Sequence, residues 1–106
     1  TDDMRDSSSL SMIPILSKKG AKINYFDPTG EKNEFKKIRN VVFSKNIKSA
    51  IKNSDLIIIH TEWNDFKSIN FNKDVSNKRF ILFDMRNIYS STKMKDQKIN
   101  YFGVGC

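Results

Sequence analysis

The residues best able to do chemistry stand just past apolar runs. Ile57, Ile58 and Ile59 lead directly into His60, Thr61, Glu62 and Trp63, so a hydrophobic segment gives way at once to imidazole, hydroxyl, carboxylate and indole. A turn alone is served by Gly, Asn or Asp. This set suits the wall of a pocket. Arg86 follows Asp84 at the end of another apolar run, "RFILFD". A permanently charged guanidinium at the end of a buried strand needs a partner. A phosphate is one; Asp84 or Glu62 is the structural alternative. Asp27-Pro28 closes "AKINYF" and reads first as a turn. An acid at that position binds a ribose hydroxyl in dinucleotide folds, but the glycine-rich loop that accompanies it there is found nowhere in this chain. His60, alone at a strand end, reads first as a partly buried, satisfied side chain, and Trp63 and Phe66 serve equally well as core.

Composition narrows the classes. At 106 residues the chain has room for one core, and 38% hydrophobic with 11% aromatic residues is enough to build it. No apolar run approaches the roughly 20 residues a membrane helix needs, and no signal-peptide pattern opens the sequence, so no membrane partner is expected. The first residue is Thr, which fits a piece of a longer protein. The single cysteine, Cys106, excludes an internal disulfide and a cysteine-cluster metal site, and fits a cytoplasmic setting. The net charge of +7 raises nucleic-acid binding. Yet 15 of the 19 basic residues are lysines spread along the chain, whereas base and phosphate readers favour arginine. The lysines read as a solvated surface, and nucleic acid is not expected as a partner.

The elements that must position these groups alternate. Asp6 to Ser9 offer N-caps for a helix from about Ser8, with Leu10, Ile13 and Leu16 on one face, Pro14 as a bend and Gly20 as a stop. "AKINYF" reads as a strand, "EKNEFKKI" as a weak exposed helix, "VVF" as a strand and "NIKSAIKNSD" as a helix. "LIIIH" and "RFILFD" lack alternation, as strands covered on both faces do. "NFNKDVS" and "STKMKDQ" are short helices and "YFGVG" a last strand. This order predicts an α/β fold, Rossmann-like and three-layered, with a mostly parallel sheet. Ligands of such sheets sit beyond the carboxyl ends of the strands, where "YFDP", "IIIHTEW" and "LFDMRN" all lie.

Together, "TDDMRDSSSL", "GAKINYFDP", "SDLIIIHTEWNDFKSINF", "RFILFDMRNIY" and "YFGVG" resemble the C-terminal, UDP-binding domain of the UDP-glucose/GDP-mannose dehydrogenases, over nearly the whole chain. The most specific pieces are Thr1-Asp2-Asp3-x-Arg5-x-Ser7, Thr61-Glu62-Trp63-x-x-Phe66 and Phe83-Asp84-x-Arg86-Asn87, in the family's order. The resemblance implies an enzyme that oxidises the C6 hydroxyl of UDP-glucose to the carboxylate of UDP-glucuronate in two NAD-dependent steps. An N-terminal Rossmann domain binds NAD, a central helical region carries a nucleophilic cysteine, and a domain like this one closes over the UDP. By the same resemblance Arg5 contacts the NAD cofactor across the interdomain cleft and Arg86 belongs to the UDP-sugar end. Thr61, Glu62 and Trp63 then form one wall of the cleft, with Trp63 at the domain interface. The implied partners are a UDP-sugar, the N-terminal and central domains of the same enzyme, and a second copy in a homodimer.

The departures are as specific. Met85 stands where the family has glycine between the Asp and the Arg, and His60 where it has a small or aliphatic residue. Cys106 has no activating base or cation beside it, so no catalytic residue is expected in residues 1–106, and the chain alone is expected to be inactive. The family's first, central strand is expected to be missing. In a 3-2-1-4-5-6 order, Ile23–Phe26 is then the second strand and Leu56–His60 the fourth, and these two do not pair with each other. The competing reading is a small basic α/β module, binding nucleic acid or protein, with vestigial dehydrogenase ancestry.

Overall fold

A computed structural model describes residues 8–104, with side chains from residue 12 onward. The chain is α/β with parallel sheets, the Rossmann-like class that the alternation predicts, and it divides into two compact units, residues 1–50 and 51–106. Arg5 and Cys106 lie outside the described residues.

In the first unit, α1 (Ser8–Lys18) is followed by β1 (Ile23–Tyr25), β2 (Val41–Phe43) and the start of α2 (Ile47–Ile51). Helix α1 is described from Ser8 onward and carries Pro14 within it. Gly20, at φ 95°, ends it. There the Gly20 N–H donates to the Ser17 carbonyl and the Ala21 N–H to the Leu16 carbonyl, each at 3.0 Å. That pair of bonds satisfies carbonyls a helix end would leave open, and only the left-handed residue makes it easy. Strands β1 and β2 pair in parallel, with Ile23 opposite Val41 and Tyr25 opposite Phe43. Tyr25 packs edge-on against Phe35, ring centroids 5.2 Å apart.

Two local expectations differ here. "EKNEFKKI" is not a helix but a single 3-10 turn, Asn33–Phe35. Phe35 is its one deeply buried anchor, and one anchor without a second a turn later does not sustain a short helix. Asp27 is a turn residue, as its first reading had it. Its Oδ1 accepts the Thr29 N–H at 2.8 Å and the Thr29 hydroxyl at 2.6 Å.

The second unit holds β3 (Leu56–Ile59), α3 (Phe71–Asp74), β4 (Ile81–Asp84), α4 (Ser91–Asp96) and β5 (Asn100–Gly103). Its sheet runs β3-β4-β5, all parallel. Asn70 and Ser90 cap α3 and α4, their side-chain oxygens accepting the Lys73 and Lys93 N–H groups at 3.3 Å. Ile57, Ile59, Leu82 and Tyr101 are buried on one sheet face, and Phe66, Phe71, Val75, Phe80 and Met94 are buried in the same unit. Phe71 stacks on Phe80 at 6.0 Å. The expectation that "LIIIH" and "RFILFD" are covered on both faces does not hold. Their alternate residues Leu56, Ile81 and Phe83 are exposed, as is Phe102 of β5. The apolar run of these strands therefore reflects a sheet with one face packed by its own unit and an apolar second face.

Candidate functional site

The polar residues of the second unit converge just past the carboxyl ends of β3 and β4. Leu56 to Ile59 lie opposite Ile81 to Asp84 in register, so His60 and Met85 leave the sheet side by side. The Met85 N–H still donates to the Ile59 carbonyl at 3.0 Å, carrying the ladder one step beyond the strands. From there the two chains separate into the segments His60–Trp63 and Arg86–Tyr89.

Asp84 governs the second segment. It is fully buried, at 0% exposure, where a carboxylate is costly unless donors surround it. Three do. Oδ1 accepts the Arg86 N–H at 3.1 Å, and Oδ2 accepts the Tyr89 N–H at 3.0 Å and the Tyr101 hydroxyl at 2.8 Å. The carboxylate thus clasps both ends of the loop. Asn87 within it takes a left-handed φ of 53°, which asparagine tolerates, and its Nδ2 donates to the Val104 carbonyl at 2.6 Å.

Arg86 is carried outward by this loop. Its Nη2 lies 3.8 Å from Glu62 Oε1, with side chains 47% and 63% exposed. Its Nη1 donates to the His60 carbonyl over a long 3.5 Å. A pair this exposed holds little energy, about 0–1 kcal/mol. Of the structural partners considered for Arg86, Glu62 meets the guanidinium, whereas Asp84 meets the backbone N–H.

Trp63 is half-buried and stands edge-on to Phe66, centroids 5.4 Å apart and planes at 87°. Phe66 is buried in the 3-10 turn Asn64–Ser68. Thr61 and His60 are half-buried. Burial holds the His60 imidazole below its ordinary pKa, so it is neutral at neutral pH. The Tyr89 hydroxyl donates to the Phe66 carbonyl, joining the Arg86 loop to the turn that follows Trp63. Burial pushes the Tyr89 hydroxyl well above the usual phenol range, with the Asp84 charge and then Tyr101 adding to it.

The fold therefore brings Thr61, Glu62, Trp63 and Arg86 to one end of one sheet, with Arg86 and Glu62 in contact. Sequence reasoning missed Tyr89 and Tyr101. Tyr101 lies opposite Leu82, on the face that Leu82 and Asp84 share, only through the register of β5 on β4, which the sequence does not display.

Residues 1–91 match the model of the UDP-glucose/GDP-mannose dehydrogenase family, UDP binding domain. The chain is 33% identical over 106 residues to a UDP-glucose 6-dehydrogenase of Rhizobium meliloti, covering 99% of this chain and 24% of the relative. It is 34% identical to that of Rickettsia felis, covering 99% and 24%, and 37% identical to that of Rickettsia bellii, covering 99% and 25%. The chain spans about a quarter of the length of the curated relatives it matches.

Proposed function

Because the chain belongs to the UDP-glucose/GDP-mannose dehydrogenase family as its UDP-binding domain, we propose that it forms the UDP-sugar lobe of an NAD-dependent UDP-glucose 6-dehydrogenase that oxidises UDP-glucose to UDP-glucuronate. The observation that carries this reading is the state of Arg86. Its backbone is fastened by a buried carboxylate, while among the described residues the ionic partner of its guanidinium is an exposed carboxylate at 3.8 Å. A fixed base with a loosely held charge is what a diphosphate requires, since charge-assisted bonds to phosphate outcompete an exposed ion pair.

In this reading Arg86 offers two N–H donors to the diphosphate, and Thr61 and Glu62 offer a hydroxyl and a carboxylate to the nucleotide sugar. Trp63 gives the wall an apolar surface toward a neighbouring domain. The described residues supply binding and orientation. In the same reading NAD, the hydride acceptor of the proposed reaction, is held by Arg5 and by other domains of the same enzyme. The proposed partners are those domains and a second copy of the protein, in the cytoplasm.

In the same reading β1 is the family's second strand and β3 its fourth. The alternative of a basic module binding nucleic acid is not favoured. Calorimetric titration of the protein with UDP and, separately, with an oligonucleotide tests the reading. Saturable binding of UDP alone is expected; binding of the oligonucleotide alone would reverse the assignment.

A further inference from the structure

We infer that Tyr101 is a positioning residue for Arg86, acting through Asp84 to fix the loop that presents the guanidinium to the diphosphate. The inference rests on the reading of Arg86 given above.

Tyr101 leaves β5 on the buried face of the sheet, and its hydroxyl ends 2.8 Å from Asp84 Oδ2 and 3.1 Å from the Tyr89 carbonyl. One hydroxyl has one proton to give. The bond to an ionised acceptor is the stronger, so the proton points to Asp84. The Asp84 carboxylate then has its two oxygens divided. One takes the Arg86 N–H, and the other takes the Tyr89 N–H together with the Tyr101 hydroxyl.

The side-chain contacts of Arg86 are too long and too exposed to place it, at 3.5 Å to a carbonyl and 3.8 Å to Glu62. Its place is set by the backbone, and the backbone is set by Asp84. The orientation of a buried carboxylate depends in turn on where its donors lie, and of the three only Tyr101 comes from another strand. Without that hydroxyl, the described donors left to the carboxylate are the Arg86 and Tyr89 N–H groups of the loop it is meant to hold. The ring of Tyr101 is itself buried, so a purely structural role is the competing account. Phenylalanine at this position keeps the ring and removes the hydroxyl, which separates the two.

The test measures UDP affinity and melting temperature in the intact protein for Arg86→Ala, Tyr101→Phe and the double variant. Tyr101→Phe is expected to weaken UDP binding about tenfold, the size of one charge-assisted hydrogen bond. It is expected to weaken binding no further in the Arg86→Ala background, where no guanidinium remains to be placed. In turnover, KM for the UDP-sugar should rise while kcat holds. If Arg86→Ala weakens binding and Tyr101→Phe only lowers the melting temperature, the positioning role is wrong. If Arg86→Ala itself leaves UDP binding intact, the reading of Arg86 fails, and the inference with it.

Discussion

Arg86 faces Glu62 across 3.8 Å while its own backbone N–H is bound to Asp84, so one residue has a rigid root and a loosely held charge. The two carboxylates are not equivalent. Glu62 is exposed and Asp84 is fully buried, and their replacements should behave oppositely.

Glu62→Gln is expected to leave stability nearly unchanged, with a loss below about 1 kcal/mol, because an ion pair this exposed is screened by solvent. Urea unfolding measures it. A loss of several kcal/mol would mean that the pair holds the fold.

Asp84→Asn should be much more severe, at about 3 kcal/mol. The asparagine NH2 group must then face N–H or O–H donors that now find no acceptor, and leaving buried donors unsatisfied is what makes such changes large. The same unfolding experiment reads it. Wild-type stability in this variant would remove Asp84 from the account of the loop.

His60 supplies a pH dependence whose sign follows from burial. Its folded pKa lies below the ordinary value of about 6.5. The unfolded chain therefore binds the proton first as pH falls. The stability from neutral His60 is fully present above about pH 6.5 and is lost as pH falls through the lower, folded pKa. Melting temperatures between pH 8 and pH 5 should fall more steeply for the wild type than for His60→Gln. Parallel curves would show that the imidazole is not desolvated.

Much of this was legible in the sequence, and the rest was hidden for particular reasons. The Gly20 end of α1 was readable because a left-handed glycine has a local cause. The strands at Leu56 and Ile81 were readable as apolar runs. Their covering was not, since Leu56, Ile81 and Phe83 are as apolar as a buried residue and only packing tells them apart. The clustering of Glu62 with Arg86 followed from parallel strands ending together. The Tyr101–Asp84 bond did not follow, because it joins residues 17 apart in the chain and needs the register of β4 on β5.

The 106 residues alone are expected to produce no NADH from UDP-glucose, because their sequence carries no glycine-rich phosphate-binding loop and its single cysteine, Cys106, has no base or cation next to it in sequence. A spectrophotometric assay of the purified chain with NAD and UDP-glucose measures this. Sustained NADH formation would place the chemistry within this chain.

The proposed binding of the UDP moiety by Arg86 is tested by replacing this residue with alanine. Calorimetric titration of UDP into the intact protein, with and without Arg86→Ala, is the measurement. A loss of about 10- to 150-fold in affinity is expected, the equivalent of about 1.5–3 kcal/mol for a charge-assisted contact, with the melting temperature nearly unchanged. Unchanged UDP affinity together with a lowered melting temperature would contradict it, leaving Arg86 as a structural partner of Glu62.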